Sequence, residues 1–511
     1  MLYDILIKSF KLCLHIAILF FGINGYSQTK PGDADKVGNI KAKRLIFDKS
    51  LGIDARRLIG DVQWESNGSI MRCDSAYMFS DKTIQAFSNV SIVKGDSVFF
   101  YGDSLRYDPN KKMAYLKGNV RCIDKEMTLT TNSLTYDLAK SKASYFNGGT
   151  IVSKGNTLKS KVGHYYSATK DVYFHYNVTL VSNDYHLSGD TLRYHSTSKT
   201  AYILGPTVIK NKENTIYCEN GWYDTAKDIS RFSKKARIVS SDQELLADSI
   251  FYDKKKGYFR ATKNVRVIDT THKSFILGNF AEHFEKGNRT VVSNRAVYGR
   301  IVEKDTLFIS ADTLYYNQPD SMKTFVKAFR HVKIFKKDIQ GMCDSLVYAS
   351  HDSIMKMYNS PILWASNGQV SAKLIVLNTN KEGIKSFELL SNAIVIQKVD
   401  SVDEFKFNQI EGKKMDGYFS NDTIRKLNVI GSAEIIYYVK QNKGYKGVNR
   451  TTCNDLTVWF DSEGVNRTTF RKKPQSTVFP IAQVKDEELR LKHFLWLENK
   501  RPKTKADIFL K

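Results

Sequence analysis

Apolar and polar positions recur every 29 residues through the first half of this chain. Met78, Tyr107, Tyr136, Tyr165, Tyr194, Tyr223 and Tyr252 form one column at that step, and Val93, Cys122, Ile151, Leu180, Ile209, Ile238 and Val267 form a second. A third column, Cys73, Gly102, Thr131, Ser160, Gly189, Cys218 and Ala247, admits only small side chains. Three columns in register mean that each copy holds an equivalent place in a stacked array. Within one copy, Leu105 and Tyr107 share a face at period two, as do Ala114, Leu116, Val120 and Cys122. Ser104, Arg106, Lys117 and Arg121 point the other way. The pattern predicts two short strands per copy, in sheets wetted on one side.

The motif returns as Gly189-Asp190-Thr191-Leu192-Arg193-Tyr194, Ala247-Asp248-Ser249-Ile250-Phe251-Tyr252, Ala311-Asp312-Thr313-Leu314-Tyr315-Tyr316 and Cys343-Asp344-Ser345-Leu346-Val347-Tyr348. After Tyr252 the step relaxes through His283, Tyr316 and Tyr348, and degenerate copies continue through Leu377, Gly417 and Val458. About fourteen units fit between 42 and 480, with extra residues absorbed in turns. If each unit adds one strand to each of two sheets, the array grows by one strand spacing per unit. Residues 481–511 break the pattern and are expected to be a tail or a cap on the terminal edge. Residues 28–41 form a polar leader. Residues 1–27, with Lys8 and Lys11 before an apolar run from Leu12 to Ile23, predict a signal peptide cleaved before Gln28. That run is shorter than the ~20 residues a bilayer span needs.

Composition agrees with a β-rich chain, since 28 Tyr and 29 Phe stand against 8 Pro. The formal charge of +25 is spread along the array and suits a polyanionic partner, although export argues against nucleic acid. Six cysteines, five of them beyond the leader, make a poor disulfide framework. They sit in the small or apolar columns and pack as small hydrophobes. No cofactor or metal motif and no catalytic constellation occurs. The recurrent Asp103, Asp190, Asp248, Asp312 and Asp344 become Asn132, Lys161 and Glu219 in other copies, so they are assigned a structural role at strand starts. Inner faces of this kind fit either a dry, closed solenoid, such as an exported adhesin or scaffold, or a partly open apolar trough.

The strand Gly/Ala-Asp-Ser/Thr-Leu-x-Tyr-Asp, with a turn and a second strand ending in Gly118-Asn119-Val120 or Lys263-Asn264-Val265, resembles the OstA-like family. This is the periplasmic lipopolysaccharide-transport domain of LptA and of the N-terminal part of LptD, and the likeness runs over 42–480. The resemblance implies an all-β fold, an elongated twisted β-jellyroll or open β-solenoid. Its apolar interior would shield lipid A acyl chains between inner and outer membrane. It implies lipopolysaccharide and other Lpt components as partners, end-to-end self-association, and no catalysis. By transfer onto matching positions, the groove candidates are Leu105, Tyr107, Leu134, Tyr136, Leu192, Tyr194, Ile250, Tyr252, Leu314, Tyr316, Leu346 and Tyr348. Cys122, Ile151, Leu180, Ile209, Ile238 and Val267 join them from the second strand.

Overall fold

The computed structural model describes residues 40–509, apart from 48–54, 67–68, 95–97, 124–126, 154, 167, 184, 213, 303–304, 321–322, 350, 381–382, 400–405, 421–422, 442–443, 462–463 and 482–488. The expected signal peptide, 1–27, lies outside the described residues, as does the leader except for Ile40 and Lys41. Among the described residues thirty-six strands make the fold all-β, and the ladders are antiparallel. It divides into two compact units, one of residues 1–241 and 246–257, the other of 242–245 and 258–511.

In both units the strands run as a meander, each pairing with the next, and almost every second one carries a bulge near its middle. In the first unit Val98–Asp108 is continuous, whereas Met113–Ile123 breaks register between Lys117 and Val120 against both of its neighbours. The extra residue is accommodated by two consecutive left-handed positions, Gly118 (φ 74) and Asn119 (φ 48). Lys263-Asn264 and Lys472-Lys473 repeat the device in the second unit. A bulge bends the strand and raises its twist, so each strand belongs to one half-sheet before the corner and to another after it. The Gly-Asn-Val motif is thus the corner. The recurrent acidic residue belongs there too: Asp74 accepts from Asn89 (2.8 Å), Asp103 from Asn119 (3.0 Å), and Glu219 binds Lys235 (2.6 Å). Asp344 with Asn359 (3.3 Å) and Asp455 with Lys472 (2.8 Å) do the same in the second unit. Its task is to clamp the neighbouring strand's bulge, not to cap a strand start.

The small-residue column lies immediately beside the corner, opposite the first apolar residue after the bulge, as in Val120↔Thr131, Val178↔Gly189 and Val332↔Cys343. Several of its members donate to the carbonyl two residues on: Cys73 to Ser75, Thr131 to Ser133, Ser160 to Val162, Cys343 to Ser345 and Cys453 to Asp455, at 3.1–3.3 Å. Cysteine therefore serves there as a small S–H donor as well as an apolar filler. Burial pushes Cys73 up to about 11 and Cys122, Cys218 and Cys343 up to about 12. The folded protein is expected to resist alkylation at these four sites near pH 8. Rapid labelling of any of them without denaturant, read by peptide mass, would contradict this packing.

Eight crossings are interrupted at the corner and count as two strands each, which turns thirty-six strands into twenty-eight crossings, two for each of fourteen repeats. Each repeat therefore adds two strands to each half-sheet, about 9–10 Å, and not the single strand expected from its length. The Tyr column is spaced accordingly. Tyr107 faces Ala114, which faces Tyr136, then Ala143, Tyr165, Val172, Tyr194, Ala201 and Tyr223. A ring on every second strand leans over a smaller neighbour, so the layer fills without clashes. Val93 is the one column member out of place. Ile92 pairs with Phe100, which pairs with Cys122, and so Ile92 holds the position. The step from Met78 to Ile84 is one residue shorter than that from Tyr107 to Ala114, so the intervening strand slides by one residue and Val93 changes face.

Candidate functional site

The eighteen candidate residues all lie on the inward face of the ladders, and most of them are buried. Leu192 and Tyr194 are 1% exposed, Leu180 and Ile250 0%, and Ile151 and Ile209 1%. Leu105, Leu134, Tyr252, Leu314, Leu346, Tyr348 and Cys122 are buried as well. Tyr107, Tyr136, Tyr316, Ile238 and Val267 are half-buried. The gap beside Leu134 and Ile151 holds only about 20 Å³, too little for a ligand. Around these residues the first unit has a packed interior.

The open interior lies further along, inside the second unit, and its origin can be read from the same column. Past Tyr348 the ladder continues through Met355, Leu377, Phe387, Gly417, Leu427 and Val458 to Thr468. Only one ring remains after Tyr348. Gly417 faces Phe387 so closely that a Cβ would strike its ring, and Leu427 and Val458 fill less volume than tyrosine. On the other half-sheet the facing column is Leu363, Val370, Val395, Ile410, Ile435 and Thr451. Strands also lengthen from the usual 11 residues to 16 in Gly383–Lys398, 19 in Thr423–Gln441 and 18 in Gly444–Asp461. Smaller inward side chains on longer strands leave a cavity of about 840 Å³, lined by Leu377, Phe387, Val395, Ile410, Leu427, Ile435, Val458 and Phe470 among others. That is the size of a pocket for a bulky apolar ligand. It reaches the last strands, Gly464–Arg471 and Gln475–Pro480. Polar side chains border it, Asn367 and Asn408 at strand ends and Asn449 within Gly444–Asp461.

The opposite, outward face of this half-sheet is also apolar, and the C-terminal segment covers it. Leu489 and Leu491 pack with Ile394, Ile396, Phe407, Ile436, Tyr438 and Val448, joined by Phe494 and Trp496. Ile508 packs with Val297 and Phe308. Three buried glutamines in one outward column fasten it. Gln409 Nε2 donates to the Leu489 carbonyl (2.9 Å) while its Oε1 accepts the Leu491 N–H (2.9 Å). Gln369 donates to the Leu495 carbonyl (2.6 Å) and accepts from Leu497 N–H (2.9 Å) and Trp364 Nε1 (3.1 Å). Gln340 accepts from Arg501 Nε (2.8 Å), and Ser310 donates to the Ile508 carbonyl (2.8 Å). The described part of the tail, from Leu489 on, therefore runs back across the sheet as a strap. The signal that could have found it was apolar side chains, Trp364, Ile394, Ile396 and Ile436, at positions whose alternation assigns them to the wetted face.

Among the described residues no group of three or more His, Cys, Asp or Glu is placed to hold a metal ion, and no helix is long and apolar enough to cross a membrane. No curated protein matches the chain significantly. Among solved structures it is similar to LptH, the LptA homologous periplasmic component of the lipopolysaccharide transport device from Pseudomonas aeruginosa. The identity is 15% over 19% of this chain and 76% of that one, with a TM-score of 0.18. It is also similar to the extracellular domain of a one component system from B. thetaiotaomicron, at 7% identity over 88% of this chain and 98% of that one, with a TM-score of 0.09. The family model described as OstA-like protein matches residues 34–190 and 186–279, the stretch in which the 29-residue step is strictest. Across residues 34–279 the chain is thus similar to the OstA-like family.

Proposed function

We propose that this chain is a non-catalytic periplasmic protein that shields lipid A acyl chains and passes lipopolysaccharide between the inner and outer membranes. The observation that carries the reading is the apolar cavity of about 840 Å³ between the two half-sheets of the second unit. It is lined by inward ladder positions of the second unit, equivalent in alternation to the repeat positions of the stretch that the OstA-like family model matches. The physical need is large: each methylene taken out of water is worth about 0.8 kcal/mol, so a chain of about a dozen carbons gains roughly 10 kcal/mol. Exchange along such a surface needs no covalent step. The energy and direction come from partners at the two membranes, with the other Lpt components as the expected ones. Exposed strands at the array ends supply edges for end-to-end association, among them Arg44–Phe47, with Leu45 62% and Phe47 54% exposed. The packed interior around Leu180, Leu192 and Tyr194 favours a second reading for the first unit, a dry structural solenoid.

Photo-crosslinking separates the two. A photoreactive amino acid placed at Ile410, Leu427 or Val458 is expected to give lipopolysaccharide adducts in cells, with the outward Arg193 giving none. Adducts at Tyr194 and Leu180 as well would extend the conduit into the first unit through a transient opening. A folded protein with no adduct at any inward site would replace the transport reading with the structural one.

A further inference from the structure

On the outward face of the first unit, strands Ile84–Lys94, Val98–Asp108 and Met113–Ile123 carry a built surface of cations and rings. Direct cross-strand neighbours make a row Arg57, Tyr77, Gln85, Arg106 and Tyr115, and a second row Phe87, Ser104 and Lys117 lies beside it. Between the rows is a concavity of about 370 Å³ that also includes Lys111 and Asp108. Three cations there face one carboxylate. Asp108 is already engaged, accepting the Lys111 backbone N–H (3.1 Å) with its side chain 9% exposed. Arg106, Lys117 and Phe87 are exposed, and Tyr115 and Gln85 half-exposed, so both charge and ring faces are open to solvent. Nearby on the same strands runs a larger groove of about 890 Å³. Its groups are mostly neutral hydrogen-bonders, including Ser91, Thr130 and Asn132, with the Arg121 guanidinium 5.4 Å over Tyr101.

We propose that this outward face binds an acidic oligosaccharide. Sugar rings present apolar C–H faces that lie flat on tyrosine and phenylalanine, and hydroxyls that pair with Gln85, Ser104 and the Ser/Thr/Asn groove. A phosphate or carboxylate on the sugar would pair with Arg106 and Lys117, which reach the same concavity from adjacent strands. Single-stranded nucleic acid also wants rings and cations, but it needs positive charge along a continuous track. Here the groove that continues from the concavity is largely neutral, with Arg121 offset by Asp103, so no track of positive charge runs along it.

The test is calorimetric titration of the full chain with four probes: pentamannosyl phosphate, neutral maltopentaose, inorganic phosphate and a single-stranded oligothymidylate. The phosphorylated saccharide is expected to bind, more weakly as salt rises, and about tenfold more tightly than maltopentaose or inorganic phosphate. Arg106→Gln with Lys117→Gln should lower that affinity by about tenfold. Lys159→Gln with Lys210→Gln removes the same net charge from other outward strands and should leave it unchanged. An equal loss in the control pair would reduce the effect to bulk charge and overturn the site. No binding by the wild-type chain, equal affinity for inorganic phosphate, or preference for the oligothymidylate would overturn the saccharide assignment.

Discussion

Leu192→Arg is expected to unfold the first unit, whereas Ile410→Arg is expected to leave the second unit folded and abolish lipid capture. Both residues lie on the inward face of the same kind of ladder, and the sequence gives them the same alternation. Their surroundings differ. Leu192 is 1% exposed, sits between Phe174 and Ile203 on the adjacent strands, and has no space to yield. Replacing it removes a buried leucine, about 2–5 kcal/mol by itself, and strands a guanidinium in an apolar layer. The total is comparable with the 5–15 kcal/mol by which most domains are stable. Ile410 is half-buried against the cavity, between Val395 and Ile435. An arginine there can lay its stem along the apolar wall and carry its head toward the polar strand ends. The cost should stay near 1–2 kcal/mol. Circular dichroism melts and in-cell adducts at Leu427 report the two effects separately. If Ile410→Arg keeps full adduct formation, the cavity is not the lipid path. If Leu192→Arg melts as the wild type does, the interior of the first unit is not packed as described.

What could be read in the sequence, and what could not, follows from the range of each signal. Period 29 fixes which residues share a column, because a strand pair without net insertion keeps its register. Even the degenerate members His283, Tyr316, Tyr348, Leu377, Gly417 and Val458 fall in a single ladder column. Period alone does not say how many strands one copy adds to each half-sheet. That depends on the left-handed pair at each corner, legible only once Gly118-Asn119 and Lys263-Asn264 are recognised as bulges. The motif places an open interior where it is strongest, yet strong repetition of tyrosine is what fills the layer. Space appears where the column decays to Gly417, Leu427 and Val458, so the departures from the motif mark the cavity. The strap was hidden for another reason. Gln340, Gln369 and Gln409 read as ordinary outward polar residues, and only tertiary contact shows that all three are nearly inaccessible, at 4%, 1% and 0% exposure.

That strap carries the second large effect: Gln369→Leu combined with Gln409→Leu should release residues 489–497 from the sheet. Each glutamine has the right shape to serve one N–H and one carbonyl of the strap's main chain. A leucine of similar size keeps the volume but leaves the Leu495 carbonyl, the Leu491 and Leu497 N–H groups and the Trp364 indole N–H without their partners, and leaves the Leu489 carbonyl with Arg490 Nη1 alone (3.0 Å). An orphaned buried polar group costs about 1–3 kcal/mol, so these four outweigh what two added leucines gain by burial. Release would uncover Ile394, Ile396, Phe407 and Ile436, an apolar face that water disfavours. The expected readouts are rapid proteolysis within 489–497, stronger binding of an apolar dye, and a lower melting temperature for the second unit. Gln409→Glu offers a finer control, since it keeps the acceptor for the Leu491 N–H but turns the donor facing the Leu489 carbonyl into a repelling oxygen. It should give a partial version of the same release, deepening as pH rises and the carboxyl group ionises. A strap that stayed protected in the double leucine variant would mean that Leu489, Leu491 and Trp496 hold it by apolar packing alone, with the glutamines serving only to set its register.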